Sequence, residues 1–171
     1  MKKLNNEKTK KFQIFSVIFT YILGTLLHFT YDWSGQNPIV GLFSAVNEST
    51  WEHLKLIFFP MLIVLIIGYF YLKQKSENYL CAKTIGILTA MAFTVIFFYT
   101  YTGIIGRNFA FLDISSFFIA VFLGEFVSYL LMINDFKCNK NIAIIVLIIF
   151  VILFFVFTFN PPKIGLFISP I

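Results

Sequence analysis

The sequence predicts an all-α fold, an integral membrane bundle of about five transmembrane helices plus one short interfacial helix. Three observations carry this prediction. Of the 171 residues, 59% are hydrophobic and 12% charged, whereas a soluble domain carries about 25% charged residues. The chain therefore cannot clothe a water-facing surface. Mean hydropathy is +0.87. The apolar residues also fall into runs near the ~20-residue length that crosses a bilayer, divided by short polar stretches. The pattern leaves one membrane domain, 12–159, between a basic N-terminus, 1–11, and a short tail, 160–171.

The net charge of +5 is distributed as in a membrane protein. Lys2, Lys3, Lys8, Lys10 and Lys11 precede the first apolar run, and most other lysines fall in the loops expected after the second and fourth spans. The opposite side and the span mouths hold only Lys55, Arg107 and Lys163. This is the positive-inside pattern, not a basic face for phosphates, so the expected partner is the lipid bilayer and not nucleic acid. It puts the N-terminus in the cytoplasm and, after five spans, the C-terminus outside, in a plasma membrane. Tyr31, Trp33, Trp51, Tyr99 and Tyr101 fall at the outer boundary, and Tyr69, Tyr71, Tyr79 and Tyr129 near the inner one, close to an aromatic belt. Cys81 and Cys138 are too few for a disulfide framework and lack metal-ligand spacing. On the cytoplasmic side they are expected as free thiols.

The elements follow in order, with helices near 12–31, 50–72, 82–101, 109–132 and 142–158. The first is too long for a signal-peptide core and has no small-x-small cleavage site, so it is a retained anchor. Ser16, Thr20, Gly24, His28 and Asp32 recur every fourth residue on it, neighbours on one face. Asn37-Pro38 reads as an N-cap with proline at the first helical position, opening a short interfacial or re-entrant helix over Ile39–Val46. The second span opens at Ser49-Thr-Trp-Glu52, a capping box in which Ser49 and Glu52 satisfy each other's backbone donors. Pro60 should kink it. Ala82, Gly86, Ala90 and Thr94 form a small-residue seam on the third. The last span is apolar on all sides and faces lipid.

The densest polar chemistry is Asn47-Glu-Ser-Thr-Trp-Glu-His-Leu-Lys55, at the mouth of an uncharged run. Topology brings other polar residues to the same outer boundary. His28 and Asp32 end the first span there, and Arg107 and Asp113 enter the fourth. Both histidines and four acids thus share one level. Three readings stay open. His28 and His53, with Asp32 or Glu48 or Glu52, could hold a divalent metal, since two imidazoles and a carboxylate with an open position suit zinc or iron. No HExxH spacing supports it. The same groups could instead do metal-free acid–base or binding work, with His28, His53, Glu52 and Asp32 as catalytic candidates. Asn47, Glu48, Trp51, Lys55, Arg107 and Asp113 are the candidates for ligand contacts. The third reading is structural: Glu52 caps, Trp51 anchors and the remaining charges pair.

Glu125 stands apart. It lies 16 residues beyond Phe109, about 24 Å along a helix, where the sequence shows no basic residue within a span. It is expected either as a neutral acid bonding between helices or as a proton or ion relay.

Leu27-His-Phe-Thr-Tyr-Asp-Trp-Ser34, Phe43-Ser-Ala-Val-Asn-Glu-Ser-Thr-Trp-Glu-His-Leu-Lys55 and Phe157-Thr-Phe-Asn-Pro-Pro162 resemble a family of small bacterial multi-pass membrane proteins, a domain of unknown function with an NESTWEHLK-type motif. The resemblance covers nearly the whole chain. It implies an integral membrane fold and a bacterial plasma membrane, and no activity. It also leads one to expect a longer polar tail after Ile171. The residues favour a pocket open to the outside that binds or processes a small polar or lipid-linked ligand. The alternatives are a small transporter, channel subunit or ion-coupled carrier, and an accessory subunit of an oligomer or larger complex.

Overall fold

A computed structural model describes residues 6–72, 77–134, 136 and 138–170. The first five residues of the basic N-terminus, residues 73–76 of one charged loop and residues 135 and 137 of the other lie outside the described residues. The described part is all-α, without strands. It comprises α1 (Asn6–Trp33), α2 (Pro38–Gly41), α3 (Thr50–Tyr71), α4 (Glu77–Ile105), α5 (Ala110–Ile133) and α6 (Lys140–Phe159), then a 3-10 turn at Gly165–Phe167. All five helices other than α2 are long and apolar enough to cross a membrane.

In the bundle α1, α3, α4 and α5 form a ring in which each packs against its neighbours, and α6 lies outside against α4. Burial follows from this order. In α3, 61% of the apolar window is buried, against 17% in α6. The α6 surface of Ile142, Ile145, Ile148 and Ile152 is left for lipid.

The α4–α5 contact is close because its seam is small. A methyl group on Gly124 would stand 2.5 Å from the Gly86 carbonyl oxygen, and the Ser128 hydroxyl donates to the Ala82 carbonyl at 3.0 Å. Without a solvent-driven force between spans, such backbone approach and bonding hold helices together.

Three expectations change. First, α1 begins at Asn6, not Phe12, because the extra turns have something to pack on. Lys8 Nζ donates to the last-turn carbonyl of Tyr71 at 3.2 Å, and the Phe12 ring lies 5.7 Å from that of Tyr71. Second, Cys81 and Cys138 are not free thiols but a disulfide, with their Cα atoms 6.2 Å apart. The α4 helix starts five residues before the expected Ala82 and brings Cys81 beside the α5–α6 connection. Third, Glu125 is not without a basic partner. The same early start makes Lys83 the seventh residue of the helix and not the second, and its ammonium lies 2.5 Å from Glu125 Oε2. The ammonium also donates to Gln13 Oε1 at 2.7 Å and Ser16 Oγ at 3.4 Å. Its three N–H bonds thus have three acceptors. Glu125 Oε1 is buried without a partner.

Candidate metal and ligand site

The site is built by the segment between α1 and α3, which buried polar contacts pin on both sides. Asn37 Oδ1 accepts from Ile39 N at 2.9 Å, and Pro38 sits at the first helical position of α2. This helix is only four residues long and stops at Gly41, short of the expected Val46. Beyond it, the Ser44 hydroxyl donates to the Leu27 carbonyl and accepts from the Tyr31 amide. Residue 44 is thereby fixed to the end of α1. Backbone groups in such a turn must find partners once buried, and here side chains supply them.

The other pin is Glu52–Lys55. Ser49 caps α3 by accepting from Glu52 N at 3.4 Å. The reciprocal half of the capping box does not form. The Ser49 amide donates to Asn47 Oδ1 at 2.9 Å, and the Glu52 carboxylate turns away to accept from Val46 N at 3.0 Å. It lies 2.5 Å from Lys55 Nζ, with both side chains almost wholly buried. Lys55 also donates to the Gly41 carbonyl at 2.7 Å and to Thr158 Oγ1 of α6 at 3.0 Å. Glu52 and Lys55 therefore fasten the turn, α3 and α6 together.

With residues 44 and 52 fixed, the bend at 46–48 projects Glu48 between the two histidines. His53 Nε2 lies 3.3 Å from Glu48 Oε2, and His28 Nε2 lies 3.9 Å from Glu48 Oε1. The imidazoles stack, with centroids 5.4 Å apart and planes inclined by 27°. One ligand atom from each of the three residues lies within 4.8 Å of the others. The hydrogen bond from His53 holds the Glu48 carboxyl below the ordinary carboxylate range. Partial burial opposes this, and the charge of either imidazole, when protonated, reinforces it.

Two imidazoles and one carboxylate are the donor set of open zinc and non-haem iron sites. Glu48 is more than half exposed and can move the short distance needed to close such a set. His28 Nδ1 is buried and unpartnered, so the outer partner that often orients a ligating imidazole is missing on that ring.

Behind the cluster lies a cavity of about 480 Å³ bounded by α1, α3, α4 and α5. Its walls are mainly apolar, with Leu56, Ile57, Phe98 and Phe117 among them. Proline at position 60 leaves the Leu56 carbonyl without its usual intrahelical donor, and that oxygen faces α1 where Gly24 leaves room. At the opposite wall Asp113 accepts from the Tyr101 hydroxyl and, at 3.4 Å, from Asn108 Nδ2.

Of the residues singled out in the sequence, His28, Glu48, His53 and Asp113 meet at this cavity. Others are elsewhere. Asp32 is exposed at the end of α1 and outside the three-residue cluster. Asn47 serves the turn. Trp51 is buried among Phe154, Phe157 and Phe167, its ring 4.7 Å from that of Phe154. Arg107 lies over the Phe109 ring at 4.6 Å and lines a shallow groove that shares Phe98, Asn108 and Pro170 with the cavity. Sequence reasoning missed Tyr101, Asn108 and Thr158. Only the phase of Tyr101, on an α4 that runs four residues past it, could have suggested the contact with Asp113.

Five apolar spans and a charged cluster at one end of the bundle define a helical multi-pass membrane protein. Over residues 1–171 the chain matches the family described as Family of unknown function (DUF6512), and it belongs to that family. No curated protein and no solved structure matches it.

Proposed function

We propose that this protein binds a divalent cation through His28, Glu48 and His53 and presents its open coordination positions to a ligand in the cavity. One observation carries the reading: three metal-competent atoms from two helices and a pinned turn converge within 4.8 Å at the mouth of a cavity large enough for a small molecule. Element analysis of protein purified without chelators should find one metal ion per chain. His53→Gln and His28→Ala should each weaken metal affinity by at least the roughly 10–100-fold that loss of an outer-shell partner costs, and should leave the thermal transition of the metal-free protein unmoved. Metal-free protein, or unchanged occupancy in both variants, would return the histidines to a structural role.

A proton-coupled carrier is a second reading, favoured by Glu125. Its Oε1 is buried with no donor among the described residues, so it can take up a proton while Oε2 keeps the Lys83 hydrogen bond. The charge of the pair is then lost, and the Lys83 ammonium is driven to release a proton in turn.

The lysine bias supports an orientation with the metal cluster outside a bacterial plasma membrane. The disulfide argues the other way, since Cys81 and Cys138 sit on the lysine-rich side and cytoplasmic thiols are kept reduced. We follow the lysines, because charge is what fixes topology during insertion. An impermeant maleimide should label neither cysteine in purified, unreduced protein, and both after reduction. In intact cells, an impermeant reductant followed by the same maleimide should label neither. Labelling there would turn the chain over and put the metal cluster in the cytoplasm.

A further inference from the structure

The cavity has a side opening. Lower down, α1 and α5 are sealed together: the Tyr21 hydroxyl donates to the Phe118 carbonyl at 2.7 Å. A methyl group on Gly24 would come within 2.7 Å of the Phe117 ring. Above that seal the two helices present Thr25 and Phe29 on one side and Ala110, Ile114 and Phe118 on the other. All five line the cavity and all are exposed on the outside of the bundle, Ile114 by 59% and Phe29 by 45%. These positions belong to membrane-spanning helices, so what touches them from outside is lipid, not water. The window therefore joins the cavity to the bilayer, with the His28–Glu48–His53 cluster at its polar end.

A soluble ligand has no use for such a window. An amphiphile does: its head reaches the polar end while its chains stay among Phe29, Ile114 and Phe118 or in the bilayer itself. The head is set by charge. Glu48 and Asp113 line the cavity and, among the described residues, no lysine or arginine does, so within its walls an anion needs a bound cation. A divalent ion with two neutral imidazoles and one carboxylate keeps a net positive charge and open positions that suit anionic oxygen. Resting on the divalent-cation reading, we infer that the cavity takes a membrane lipid with a phosphate head, entering sideways between α1 and α5 and placing phosphate oxygen on the cation.

The test uses the full chain in detergent, loaded with zinc, and native mass spectrometry of three probes. These are dioleoyl phosphatidic acid, dioleoylglycerol, which lacks the phosphate, and glycerol 3-phosphate, which lacks the chains. Phosphatidic acid should be retained at least about tenfold better than either. Ile114→Trp, which fills the window, should reduce that retention about tenfold with zinc content unchanged. Ala110→Phe does the same from the next turn, should the first variant fold poorly. Zinc bound but glycerol 3-phosphate retained equally well would make the ligand a free phosphate compound and overturn the lipid. Zinc bound and retention indifferent to both window variants would mean only lipid from the bundle's outer surface, and would overturn it too. Failure of the wild-type chain to hold zinc would instead overturn the cation reading on which the lipid rests.

Discussion

Glu125→Leu is expected to be the most destabilising single substitution in the bundle, at about 3–5 kcal/mol, the usual cost of removing one partner of a buried ion pair. The reason is what it leaves behind. Lys83 is 1% exposed, and Glu125 supplies the only charge among its three acceptors. Without that carboxylate the ammonium must lose its proton or draw water into the bundle. Glu125→Gln should also destabilise, because an amide restores a hydrogen bond and not a charge. The double variant Glu125→Leu with Lys83→Met should recover most of the loss, since apolar replacement of a whole buried pair is often neutral or better. Denaturant titration of the four proteins in micelles measures all of this. A Glu125→Leu protein as stable as the parent would mean that the pair does not form. Were Glu125 a relay, the double variant, folded again, should have lost proton flux as read by a pH-sensitive dye in sealed vesicles.

How much of this was legible in the sequence depends on how local the signal is. The five spans are, because run length and charge decide them. The meeting of His28 with Glu48 and His53 is too: consecutive spans joined by a short connection bring the end of α1 beside the start of α3, and the polar residues sit at those ends. Lys83 was not. A lysine at the second position of the expected span reads as a boundary charge reaching for water, and only the earlier helix start sets it more than a turn inside. Its phase carried a hint, since positions 83, 86, 90 and 94 share one face of α4, the face of the small-residue seam. The disulfide had no signal, because a separation of 57 residues says nothing of distance in space. Lys55 reads as a ligand contact at a membrane surface, and α6 as a featureless lipid-facing helix. The tertiary fold joins them at Thr158, which takes the first reading away and leaves the second true of most of α6.

Glu52 shows the same override on the scale of one turn, and it yields the second large effect. The Ser-x-x-Glu pattern predicts a capping box in which Ser49 and Glu52 matter about equally, roughly 0.5–2 kcal/mol for loss of the cap. In the fold only Ser49 caps. Glu52 is 2% exposed, Lys55 is 0% exposed, and the carboxylate they share also holds the Val46 amide. Ser49→Ala should therefore cost the ordinary amount for a cap, and Glu52→Ala distinctly more, about 3–5 kcal/mol. The loss should extend beyond stability. The turn that Glu52 fastens carries Glu48 between the two histidines, so Glu52→Ala should weaken zinc binding although its side chain touches no metal ligand. Lys55→Met should do likewise, leaving Glu52 as the unpaired buried charge. Unfolding titrations and zinc affinities of the three variants separate the cases. Equal losses for Ser49→Ala and Glu52→Ala would restore the capping box. Full zinc affinity in a destabilised but folded Glu52→Ala protein would show that Glu48 keeps its place without the pin.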